Sequence, residues 1–149
     1  MKTDEAGPSR WARRLGFGGL VPFVSLAAAL WVVWPADWPL ARAALLGYGA
    51  TIASFLGAIH WGLVMRDGPG QPVPSLLWGV VPSLLAWLAL LLDPGLGLLL
   101  ITALLWACLA VDRFLYPRFQ LQAWLPMRLR LTLVASVSCL AGAAALLQP

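Results

Sequence analysis

Leu46-Gly47-Tyr48-Gly49-Ala50-Thr51-Ile52-Ala53-Ser54-Phe55-Leu56-Gly57-Ala58-Ile59-His60-Trp61-Gly62 holds no Asp, Glu, Lys or Arg and lies within a longer run from about Leu40 to Met65. About 20 apolar residues cross the hydrocarbon core of a bilayer, so this run is long enough to span it with tilt. Gly49, Ala53 and Gly57 recur every four residues, and so do Ala50, Ser54, Ala58 and Gly62. That spacing lays each set along one side of a helix, giving two adjoining small faces. Apolar burial does not drive association within lipid, so close backbone approach at such faces must supply van der Waals packing and weak interhelical hydrogen bonds. The stretch reads as the packing helix of a membrane bundle.

The rest of the chain supports that solvent. Of its 149 residues 61% are hydrophobic and 11% charged, against about 25% charged in a soluble protein. Apolar runs alternate with short segments where Pro, Gly and charge collect, which predicts spans over about 16–34, 40–65, 73–92, 96–116 and 128–147. The fold class expected is an all-α membrane protein, a bundle of about five transmembrane helices. Residues 1–15 form a basic leader, and residues 16–149 the polytopic membrane domain.

The breaks have local causes. Pro35-Ala36-Asp37-Trp38-Pro39 opposes helix continuation, and Arg66-Asp67-Gly68-Pro69-Gly70-Gln71-Pro72 is polar and rich in turn formers. Asp93-Pro94-Gly95 is a hairpin turn, making the third and fourth spans antiparallel neighbours. Pro117 to Met127 mixes polar and apolar residues, as expected of a segment on the membrane surface. Pro82, midway along the third span, removes a backbone donor and predicts a bend near Trp78 and Gly79. Ser83 is placed to satisfy a loosened carbonyl.

Arg10, Arg13 and Arg14 precede the first apolar run like the basic region of a signal peptide, but the run exceeds a signal core and bulky Trp34 and Trp38 stand where small residues should mark cleavage. An uncleaved first span is expected. Lys2, Arg10, Arg13, Arg14, Arg66, Arg113, Arg118, Arg128 and Arg130 fall on one side of the predicted bilayer and only Arg42 on the other. By the positive-inside rule the N-terminus is cytoplasmic and the C-terminus extracytoplasmic, in a bacterial inner membrane. The basic residues flank apolar runs and form no free-standing patch, which excludes a nucleic-acid partner. The partners expected are the lipid bilayer and a membrane protein or a second copy of the chain.

Candidate chemistry is sparse. His60 is the sole histidine, about 9 Å inside Arg66 along a helix rising 1.5 Å per residue. Asp112 approaches from the same side on the fourth span and Arg130 on the fifth, so a cluster of His60, Asp112 and Arg130 is geometrically open. Intramembrane ionisable groups are functional candidates by default; the alternative is that Asp112 and Arg130 snorkel to the interface while His60 bonds a neighbouring helix. Cys108 and Cys139 lie at different depths and read as small buried hydrophobes. One His, no metal-ligand spacing, no phosphate loop and no nucleophile elbow leave no cofactor and no catalytic signature. The third span offers Ser75, Gly79, Ser83 and Ala86, and the fifth Thr132, Ala135, Ser136, Cys139, Gly142 and Ala143, so these helices and the second should form the bundle centre. The packing residues singled out are Gly49, Ala53, Ser54, Gly57, Gly62, Gly79, Pro82 and Ser83.

The glycine-rich helix ending in His60-Trp61-Gly62, with Pro82-Ser83, Asp112 and Leu129-Arg130-Leu131-Thr132-Leu133, resembles a domain-of-unknown-function family of small bacterial and mitochondrial membrane proteins that includes the transmembrane protein sixty-nine group. The resemblance implies a five-helix inner-membrane protein and brings no activity with it. Two functions are weighed, the first as the leading expectation and the second as its alternative. One is a binding, assembly or accessory subunit that packs through small-residue faces. The other is a small carrier or lipid- or quinone-handling protein with a pocket near His60 and Asp112 and a hinge at Pro82.

Overall fold

The computed structural model describes residues 7–32, 34–67 and 73–146. Lys2 and the other residues of 1–6, the Gly68–Pro72 part of the second connection and the end of the fifth apolar run at Leu147 lie outside the described residues. The protein is an all-α, five-helix membrane-spanning bundle, with no sheet among the described residues. Its helices are α1 (Arg10–Gly18), α2 (Val21–Val32), α3 (Trp38–Asp67), α4 (Val73–Leu91), α5 (Pro94–Leu115) and α6 (Leu125–Ala145). The pair α1–α2 makes one span, and α3 to α6 make the other four.

The first apolar run is broken where a single helix could have run through. The Ser9 hydroxyl accepts a hydrogen bond from the Ala12 amide at 3.1 Å and starts α1 at Arg10. Pro22 cannot donate to the Gly18 carbonyl, so the chain turns at Gly19-Leu20 and begins again at Val21, with Pro22 in a first turn where its missing N–H costs nothing. Pro39, Pro74 and Pro126 occupy the same second position in α3, α4 and α6, and Pro94 the first position in α5. At α5 the Asp93 carboxylate caps the helix by accepting from the Gly95 amide at 2.9 Å. Between α5 and α6 the chain makes two 3₁₀ turns, Tyr116–Phe119 and Gln122–Trp124, separated by Gln120 in the left-handed region (φ 57°).

α3 is the central element, packed against α2, α4 and α5, while α6 closes the bundle against α5 and α2. The α3–α4 contact is the tightest. A Cβ on Gly57 would lie 2.7 Å from the Gly79 carbonyl oxygen and 3.2 Å from Pro82 Cγ, so the helix backbones meet there with no side chain between them. Trp61 spans the same interface, lying against Gly79 and donating its indole N–H to the Leu76 carbonyl at 3.0 Å. Gly49 receives Ile101 of α5 and Phe23 of α2, and Ala53 is fully buried between them and Gly57. Small residues thus face inward while Leu77, Leu84, Leu88, Leu133 and Val137 face outward, the arrangement a lipid solvent favours.

The second small face behaves differently along its length. Ala50 is buried, Ser54 is half-buried, Ala58 is exposed, and Gly62 has open space where a Cβ would go. Gly62, expected among the packing residues, is exposed, and a Cβ there would meet nothing within 4 Å. At 100° per residue the four-residue spacing drifts around the helix, and over three repeats it carries the face out of the contact. Ser83 is half-buried beside the buried Pro82, within a continuous α4.

Gly57→Ala should lower the thermal stability of the purified protein in detergent by about 1–3 kcal/mol, the usual cost of overpacking. Gly62→Ala should leave it unchanged or slightly raised, because the added methyl meets nothing. Melting curves recorded side by side check the contrast.

Candidate functional site

The buried polar groups of the bundle converge on Asp112. It follows Cys108 by one turn on the inward face of α5, and its carboxylate is 2% exposed. From α3, His60 (1% exposed) brings Nε2 to 3.1 Å from Asp112 Oδ1. From α6, Arg128 (8% exposed) donates its Nε–H to Oδ2 at 2.8 Å and places Nη2 2.7 Å from the same oxygen. A carboxylate held by a guanidinium accepts on both oxygens, so imidazole Nε2 carries the proton that it donates to Asp112. Nδ1 is buried and has no partner. The Tyr116 ring lies tilted beside the imidazole, 6.4 Å between centroids. One carboxylate therefore ties three spans together through charge-assisted bonds, shielded from bulk solvent.

His60 and Asp112 meet, but the arginine is Arg128 and not Arg130, which is exposed and turned away. The reason is helical phase. The inward face of α6 carries Arg128, Thr132, Ala135, Cys139 and Gly142, four and three residues apart. Arg130 stands two residues from Arg128 and from Thr132, about 200° around the axis. Extending the small-residue seam one turn toward the start of α6 reaches Arg128, so the signal was present in the periodicity. Tyr116 stands one turn beyond Asp112 with its N–H on the Asp112 carbonyl and continues the Cys108–Asp112 face of α5, so its position too was carried by the spacing of four.

Beside the cluster, an apolar groove of about 360 Å³ opens between α1, α2, α3 and α6. Leu15, Leu20, Phe55, Ile59 and Leu131 form much of its wall. Its polar lining comes from Arg128, Tyr116 and Thr132, whose buried hydroxyl has no hydrogen-bond partner. His60 and Asp112 do not line it, so the cluster reaches the groove through Arg128 and Tyr116. Cys108 and Cys139 are buried free thiols.

Five apolar helices built around an internal ion cluster define a multi-pass helical membrane protein. Residues 8–144 match the family described as "Protein of unknown function (DUF3429)", and the chain belongs to that family. It is 46% identical over 79 residues to "Transmembrane protein 69" of Xenopus tropicalis, covering 52% of this chain and 31% of that protein. It is 30% identical over 125 residues to "Transmembrane protein 69" of Mus musculus, covering 80% of this chain and 50% of that protein. The chain thus spans half the length or less of these curated relatives. No solved structure matches it.

Asp112→Leu should cost about 3–5 kcal/mol of stability by leaving the Arg128 charge buried without a partner. Asp112→Leu combined with Arg128→Met should recover much of that loss, whereas Arg130→Met alone should change little. A double-mutant cycle on thermal melting measures the coupling.

Proposed function

We propose that this protein binds a lipid-soluble molecule with a polar, hydrogen-bonding head, of the quinone or lipid class, in the groove beside Arg128. The observation that carries the reading is the Thr132 hydroxyl, buried without a partner in the wall of an otherwise apolar groove. A buried hydroxyl left unpaired costs free energy that a ligand oxygen or N–H would recover. The groove volume falls in the range of small-molecule sites, roughly 300–1,000 Å³. Arg128 and Tyr116 supply a donor and a donor-acceptor beside it, and Asp112 holds Arg128 in place. His60, on the far oxygen of Asp112, is in this reading a positioning residue.

The assembly reading draws support from a different surface. The Gly49, Ala53 and Gly57 face is consumed within the chain, but Thr51 and Ala58 are exposed on α3 and Gly47 and Gly62 have open space around them. Another membrane helix or a second copy could approach there. Efficient disulfide crosslinking through Ala58→Cys in native membranes would favour this reading.

The topology we propose places the arginine-rich end of the bundle, where α3 and α5 finish and α4 and α6 begin, in the cytoplasm of a bacterial cell, with residues 1–15 as a leader whose last turns belong to α1. Its support is the nine-to-one division of the basic residues. Alkaline phosphatase fused at the C-terminus should be active and green fluorescent protein dark; the opposite pattern inverts the assignment.

For the groove, the purified protein should retain a lipid-soluble compound recoverable by organic extraction, and a photoreactive quinone analogue should label residues of its wall. Leu131→Trp, which fills the groove, and Thr132→Val, which removes only the hydroxyl, should each reduce labelling about tenfold at unchanged melting temperature. Equal labelling of both variants and wild type would remove the basis of the reading.

A further inference from the structure

Among the described residues, the arginine-rich end of the bundle has more cations than carboxylates. Two described carboxylates lie at this end, and both are committed: Asp67 to Arg66 at 2.6 Å, and Asp112 to Arg128 and His60. Among the described residues, no ion pair links Arg13 or Arg130 to a carboxylate. These two arginines, from the first and last spans, line one concave site of about 270 Å³ where α1 meets the start of α6. Phe17, Pro126 and Met127 supply apolar walls, and the site lies where the helices leave the apolar span. Two guanidiniums held by separate helices offer planar donor forks that suit a phosphate, and the apolar walls suit the glycerol and first methylenes behind it.

We propose that this cleft binds the phosphate headgroup of an anionic phospholipid, with Arg13 and Arg130 as its ligands. The occupant is a lipid because both arginines are exposed near the ends of their spans, where a bilayer would concentrate its phosphates. The site is separate from the groove beside Arg128: Met127 lines both, but neither arginine of the cleft lines the groove. This also gives Arg130 a role outside the Asp112 cluster. The cleft clamps α1 to α6 through a shared lipid, which would make the first span's position depend on bilayer charge.

The test is native mass spectrometry of the full chain after delipidation, with equimolar phosphatidylglycerol and phosphatidylcholine added back in detergent. Wild type should retain one phosphatidylglycerol in preference to phosphatidylcholine, and Arg13→Gln with Arg130→Gln should reduce that preference about tenfold or more. Arg118→Gln, an exposed arginine at the same end that does not line the cleft, should leave it intact. If the double variant unfolds, the single variants and a salt titration of wild type give the same reading, each weakening the preference. No preference in wild type, an equal loss with Arg118→Gln, or a preference unmoved by the cleft variants would overturn the proposal. Displacement of the lipid by millimolar inorganic phosphate would also overturn it, assigning the cleft to the free anion. None of these outcomes depends on the groove, whose test reads labelling at Thr132 and Leu131.

Discussion

A carboxylate deep among packed helices must find its partners within the chain, and Asp112 finds them on two other spans. Arg128 takes one oxygen and His60 the other, so the rotation of α3, α5 and α6 about their axes is set by a single side chain. A turn of any of the three by one residue, about 100°, would break a charge-assisted bond inside the bundle. Helix packing in lipid is otherwise weakly specified, because tails are as apolar as leucine. The ion cluster supplies specificity that hydrophobic contact cannot.

That cluster requires α3 to sit close to its neighbours, and the glycines permit it. Gly57 meets the Gly79 carbonyl with nothing between the backbones, and Trp61 lies across α4 to bond the Leu76 carbonyl. The three consecutive residues His60, Trp61 and Gly62 then point in three directions: to the Asp112 carboxylate, to the backbone of α4, and to open space. Helical phase alone separates them. The family resemblance carried by this tripeptide thus rests on at least two distinct physical tasks, one electrostatic and one of backbone contact.

The groove and the cluster are coupled through Arg128 and Tyr116, which belong to both. On the proposed reading, a ligand in the groove would meet a guanidinium that Asp112 already orients, a form of preorganisation that lowers the entropy lost on binding. The membership of the chain in a family without an assigned activity makes this geometry the natural starting point for finding one.

The five-helix membrane fold was legible in the sequence, because apolar run length and the proline, glycine and charge between runs act locally on each helix. A spacing of four also set Gly49, Ala53 and Gly57 on one face of a helix, whereas the depths of His60 and Asp112 along antiparallel spans left their meeting open. The identity of the arginine was not read correctly: Arg128 and Arg130 share a composition and a depth, and only the phase of α6 against α5 separates them by about 200°. The groove beside Thr132 and the cleft between Arg13 and Arg130 were decided by tertiary structure alone. Each depends on how far neighbouring helices stand apart and how they are rotated, and that is settled by side chains distant in sequence, with the Asp112 carboxylate as their common partner.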